Sequence, residues 1–97
     1  MKIEWTEKAY SDLVRLYEHL RPVAPVPATR VVQQLARAPE RLLDYPHIGE
    51  KLGSYEPREV RRIIVGKYEL RYEIVAETIF ILRLWHSREN RDFGPEQ

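Results

Sequence analysis

Alternation opens the chain. In Lys2–Trp5, Ile3 and Trp5 point one way and Lys2 and Glu4 the other, the period-2 pattern of a short strand. The period then lengthens. Tyr10, Leu13, Val14, Tyr17 and Leu20 recur at helical spacing, with Asp12, Arg15, Glu18 and His19 on other faces. Thr6 is the expected N-cap of this helix, which runs to about Leu20. Glu7 lies in the first turn, where the helix dipole favours a carboxylate.

Arg21–Ala28 contains Pro22, Pro25 and Pro27, too many prolines for an unbroken helix. The segment predicts a turn between antiparallel helices, with Pro27 at the first position of the second. Val31, Val32, Leu35, Ala38, Leu42 and Leu43 supply the second apolar stripe. Pro39 within it marks either a kink or the start of another short helix. The run ends near Tyr45-Pro46, and Pro46–Pro57, with Gly49 and Gly53, reads as a loop.

Period 2 then returns in three runs, roughly Glu59–Val65, Tyr68–Val75 and Thr78–Trp85, separated by Gly66-Lys67 and Ala76-Glu77. In the middle run Leu70, Tyr72 and Ile74 share one face, and Glu69, Arg71, Glu73 and Val75 the other. Strict alternation in the last run groups Phe80, Leu82, Leu84 and His86 against Ile79, Ile81, Arg83 and Trp85. Both groups hold apolar residues, as expected of a central strand. The predicted fold class is α+β: an N-terminal strand, two antiparallel helices, then a three-stranded antiparallel meander, with the helices on one sheet face. The 97 residues fit one domain, 1–97, with 92–97 expected to fray.

Composition removes several function classes. With 43% hydrophobic and 32% charged residues, the chain is a folded globular one. It has no cysteine, so disulfides, thiol nucleophiles and Cys-based metal sites are excluded. His19, His47 and His86 show no metal-ligand spacing, and no metal or cofactor is expected. No apolar run approaches the roughly 18 residues of a membrane helix. MKIEWTEKAY lacks the apolar core of a secretory signal, so the expected location is the cytoplasm.

Net charge is only +1, but it is unevenly spread. Residues 58–91 hold eight Lys/Arg against five Asp/Glu, with His86 in addition. This excess can steer an acidic partner, yet it is too small to indicate general nucleic-acid binding. Direct contact with nucleic acid is therefore expected to be weak or indirect. Arg61, Arg62, Arg71 and Arg83 form either an anion-binding face or a set of cross-strand ion pairs with Glu59, Glu69 and Glu73. His86, at the end of the last strand, suits either general acid–base work or a structural hydrogen bond. Trp85 and Tyr72 suit base stacking, a core or an interface.

Several short stretches, in order, resemble the RelE/ParE superfamily of toxins from bacterial toxin–antitoxin modules. They are Ile3-Glu4-Trp5-Thr6 with Ala9 and Asp12-Leu13, Leu42 with Pro46-His47-Ile48-Gly49, and Arg58-Glu59-Val60 leading to Val65-Gly66-Lys67-Tyr68. The sharpest are Leu70-Arg71-Tyr72 and Ile81-Leu82-Arg83-Leu84-Trp85-His86-Ser87-Arg88. The resemblance spans nearly the whole chain and implies the strand–helix–helix–three-strand fold.

It also implies one of two activities. RelE-like members cut ribosome-bound mRNA without a metal, using the 2′-hydroxyl as nucleophile and basic side chains to stabilise the phosphorane. ParE-like members inhibit DNA gyrase by trapping it on cleaved DNA. On the nuclease pattern the candidate catalytic residues are Arg62, Arg71, His86 and Arg88. That pattern departs at three places: Glu69 stands where a basic residue follows the strand-opening tyrosine, the turn after the last strand reads Ser87-Arg88-Glu89, and no tyrosine lies beyond Tyr72. Leu84-Trp85-His86-Ser87-Arg88 looks instead like the ParE ending.

The expectation is therefore a ParE-like gyrase inhibitor that is not an enzyme, neutralised by a ParD-like antitoxin. The partner-binding candidates are Arg61, Arg71, Arg83, Trp85, His86, Arg88 and Arg91.

Overall fold

The computed structural model describes residues 1–87, so Arg88, Arg91 and the expected frayed tail lie outside the described residues. The elements are β1 (Lys2–Trp5), α1 (Glu7–Leu20), α2 (Pro25–Arg37), a 3₁₀ helix (Ala38–Leu43) and β2 (Glu50–Lys51). A 3₁₀ turn (Gly53–Tyr55) then leads to β3 (Val60–Val65), β4 (Tyr68–Val75) and β5 (Thr78–His86). Five strands form one sheet in the order β1-β5-β4-β3-β2. β3, β4 and β5 make the antiparallel meander, and β1 joins it parallel to β5. This is the α+β architecture expected from the periodicity.

Local chemistry accounts for the joints. The Thr6 hydroxyl accepts from the Ala9 N–H at 3.2 Å, capping α1, and donates to the Ile81 carbonyl at 2.7 Å. One side chain thus starts the helix and ties it to β5. The second helix begins at Pro25 rather than Pro27. Both prolines fall in the first turn, where backbone N–H groups have no helical acceptor to lose. Pro39 ends α2 by converting it to the 3₁₀ helix instead of kinking it.

Two expectations about faces are corrected. On α1, Tyr10 and Val14 are 62% and 38% exposed, while Ala9, Leu13 and Leu16 pack against the core. The small Ala9 lets the helix approach the sheet closely, which rotates the buried stripe. On β5, Arg71 pairs with Arg83 but Tyr72 pairs with Ile81, so Leu82 is the extra residue of a β-bulge. The bulge resets the alternation. Ile79, Ile81 and Leu84 all enter the core with Leu70 and Tyr72. Arg83 and Trp85 turn to the opposite, open face of the sheet.

The core between helices and sheet holds Ala9, Leu35, Leu42, Ile63, Val65, Leu70, Tyr72, Ile79, Ile81 and Leu84. Each large aliphatic side chain here contributes roughly 1.5–3 kcal/mol through burial. The segment expected to be a plain loop, Pro46–Pro57, contains β2, whose Glu50 and Lys51 pair with Arg62 and Arg61. Two residues are too few for alternation to reveal. The Tyr72 hydroxyl fastens this segment: it donates to the Pro46 carbonyl at 2.7 Å and accepts from the Gly49 N–H at 3.0 Å. Gly49 is required there, because a Cβ would lie 2.6 Å from the Arg62 carbonyl oxygen. No helix of the described residues is long and apolar enough to cross a membrane.

Candidate functional site

Arg62, Arg71 and Arg83 are direct partners across β3, β4 and β5, so three guanidinium groups share one row of the open face. Like charges directly opposite one another destabilise a sheet unless something separates them. Here carboxylates and an aromatic ring do so. Glu50, opposite Arg62 on β2, accepts from its Nε at 2.7 Å. Glu69 accepts from Arg62 Nη1 at 3.2 Å and from Arg71 Nε at 2.8 Å. The Trp85 ring lies between Arg71 and Arg83, whose guanidinium carbons are 4.8 and 5.6 Å from its centroid.

Asp12 closes the row from α1. Its Oδ2 accepts from Arg83 Nε at 2.8 Å and from the Leu84 N–H at 3.0 Å, and Oδ1 accepts from Arg15 at 2.6 Å. Asp12 thereby serves a backbone donor of β5 beyond the last β1 pairing, at Ile81. Three arginines of the row thus face three carboxylates: Glu50, Glu69 and Asp12. Glu69 is 0% exposed, a full burial that a carboxylate tolerates only when paired and hydrogen-bonded.

A second tier extends toward the 3₁₀ turn. Arg71 Nη1 donates to the Tyr55 hydroxyl at 2.8 Å. Arg58 lies over the Tyr55 ring at 5.6 Å and binds both carboxylate oxygens of Glu73, at 2.8 and 3.0 Å. Hydrogen bonding to Glu73 raises the Arg58 pKa above its ordinary value, and Glu50 does the same for Arg62. Both groups are held as cations and are poorly suited to giving up a proton.

The other candidate residues separate. Arg61 points to the helix-covered side, where Nη1 donates to the Gly49 and His47 carbonyls at 2.7 and 3.2 Å and Nε binds Glu59 at 3.0 Å. It holds the Pro46–Gly49 segment against β3. His86 packs edge-on to Tyr68, with centroids 5.3 Å apart. Both line a groove of about 560 Å³ between α1 and the end of β5, together with Leu16, His19, Arg83 and Trp85. Arg62 and His86, grouped in the nuclease reading, therefore sit on β3 and β5 with β4 between them. Trp85 is only 6% exposed, covered by the guanidinium groups rather than presented as a bare ring. Among the described residues no group of His, Asp and Glu side chains could hold a metal ion.

Three participants were not singled out from the sequence: Glu50, Tyr55 and Asp12. Asp12 had a signal, since its same-face helical neighbours Ala9 and Leu16 are apolar and a carboxylate between them is a candidate for a buried partner. Glu50 and Tyr55 lie in a Gly/Pro-rich stretch whose pairing is set by tertiary contacts.

A small antiparallel meander completed by a parallel N-terminal strand, with two helices on one face, is the fold of the toxin superfamily that the motifs resembled. Residues 3–91 match the family described as ParE toxin of type II toxin–antitoxin system, parDE, and the chain belongs to that family. It is similar to Toxin RelE2 of Caulobacter vibrioides, with 28% identity over 86 residues, covering 89% of this chain and 94% of the relative. It is also similar to a chain from the structure titled "Chromosomal ParDE TA system from P. aeruginosa". There the TM-score is 0.75 at 26% identity, over 89% of this chain and 95% of the other.

Proposed function

We propose that this toxin acts by binding rather than by cleaving RNA, with DNA gyrase as its target, in the cytoplasm, and that a cognate ParD-like antitoxin neutralises it. The buried Glu69 carboxylate carries this reading. It occupies the position between Arg62 and Arg71 where a reacting phosphate would need the same two cations. A phosphorane there would meet a fixed negative charge, and electrostatic stabilisation of a transition state needs preorganised donors aimed at it.

The partner-facing set in this proposal is Arg83, Trp85 and His86 at the groove beside α1, with Arg71 stacked on Trp85 and Arg61 supporting the far edge. Arg88 and Arg91 belong to the same set from outside the described residues. Exposed Tyr10 and Val14 on α1, Val23 in the turn and Val26 on α2 supply apolar area for an antitoxin segment that orders on binding. The similarity to the P. aeruginosa ParDE structure supports an antitoxin partner of this kind.

The similarity to a protein named Toxin RelE2 favours a second reading, an mRNA interferase using Arg62, Arg71, His86 and Arg88. One pair of assays separates them. Purified toxin is expected to block supercoiling or accumulate gyrase-cleaved DNA while leaving ribosome-bound mRNA intact. Cut mRNA with unaffected gyrase would replace the first reading by the second.

A further inference from the structure

The arginines of the sheet row are neutralised internally, so the molecule's unbalanced cationic field lies elsewhere. Arg30, Arg37 and Arg41 are exposed, and none has a carboxylate partner among the described residues. Arg30 and Arg37, seven positions apart on α2, share one side of that helix, and Arg41 on the 3₁₀ helix lines the same groove. Together with Gln33, Gln34 and Glu40 they line a shallow groove of about 650 Å³. Helix-dipole stabilisation explains a cation in the last turn, as at Arg37, but gives no reason for Arg30 in the middle of α2.

From this arrangement we infer that the outer side of α2 is a docking surface for the phosphate backbone of duplex DNA. Three guanidinium groups and two carboxamides are donors suited to phosphate oxygens, and such contacts position a protein without reading sequence. No large exposed apolar side chain lines the groove, whereas a protein interface is anchored by such residues. Such side chains lie outside the groove: Tyr10 and Val14 on α1, Val23 in the α1–α2 turn, Val26 at the start of α2 and Leu43 at the end of the 3₁₀ helix. The rise from Arg30 to Arg37 is roughly 10 Å along the axis. That length suits phosphates flanking the ~12 Å major groove of B-form DNA. The narrow major groove of an RNA helix suits it less well. Glu40 is the one carboxylate in the groove and leaves a net of two positive charges. The surface goes beyond the gyrase reading, since a gyrase inhibitor need not touch DNA itself.

Fluorescence anisotropy of the full chain with a 20-base-pair duplex, titrated from low to moderate salt, tests this. Three phosphate contacts predict a slope of log K against log salt of about −2.7, losing about 0.9 per arginine removed. R30Q/R37Q/R41Q is expected to flatten the slope toward zero. R30K/R37K/R41K is expected to keep it, and K8Q, at the start of α1, to leave it unchanged. Circular dichroism would establish that the variants fold. An unchanged slope in the triple glutamine variant overturns the proposal, as does the absence of salt-dependent binding by the parent chain. Preferential binding of duplex RNA, or of a polyglutamate peptide with DNA ignored, overturns it equally by assigning the surface to another partner.

Discussion

Arg62 on the sheet and Arg30 on α2 carry the same charge in opposite circumstances. Arg62 is held between Glu50 and Glu69, one of them fully buried. Arg30 stands in solvent with no carboxylate partner among the described residues. Counting charges along the chain points to residues 58–91 as the basic region. Pairing reverses that: the dense arginines of the sheet contribute rigidity, and the sparse ones of α2 contribute field. A cation that has already found its anion contributes less to the long-range field than one that has not.

The sharpest way to break this comparison is Glu69→Ala. Removing the carboxylate leaves Arg62 and Arg71 facing each other, and the expected destabilisation is about 3 kcal/mol in urea unfolding. A loss below about 1 kcal/mol would mean that the row is not held together by Glu69. Asp12→Ala comes next, at about 2 kcal/mol, because it strands both Arg83 and the Leu84 N–H. Tyr72→Phe is expected to cost about 1 kcal/mol by leaving the buried Gly49 N–H without its acceptor. At the small end, Arg30→Gln, Arg37→Gln and Arg41→Gln are each expected to shift stability by no more than about 0.5 kcal/mol. A larger shift would show that these residues serve the fold after all.

Tyr72 adds a pH dependence. Burial raises its pKa above the usual 10.0, so the neutral phenol is favoured in the folded state. That contribution is complete below the unfolded value and disappears as pH rises through the raised one. Stability is therefore expected to fall in the alkaline range, and the Tyr72→Phe variant to show a shallower fall. Equal slopes for the two proteins would remove Tyr72 from the account.

Much of this architecture is legible in the chain. β1, α1 and its Thr6 cap, and the three strands of the meander follow from periodicity and turn residues. What escaped depends on contacts between distant segments. The bulge at Leu82 leaves no trace in alternation, because β5 is apolar on both sides and either register looks acceptable. Yet that one residue decides whether Arg83 and Trp85 face the core or the open row. β2 is invisible for the opposite reason, being too short and too polar. The sheet ion pairs with Glu59, Glu69 and Glu73 were one of two readings of the arginine run. The burial of Glu69 and the closure of the row by Glu50 and Asp12 could come only from the assembled sheet. The unpaired state of Arg30, Arg37 and Arg41 is likewise a property of the folded molecule.

The parallel pairing of β1 with β5 has a consequence in time. Thr6, just after β1, bonds the Ile81 carbonyl 75 positions later. β1 thus waits for β5 before it has an edge to join. Contacts of such long range slow folding. A nascent chain halted before Thr78 holds both helices but lacks the strand that unites β1, α1 and the arginine row. This ordering means that the arginine row comes into being only once β5 has been made.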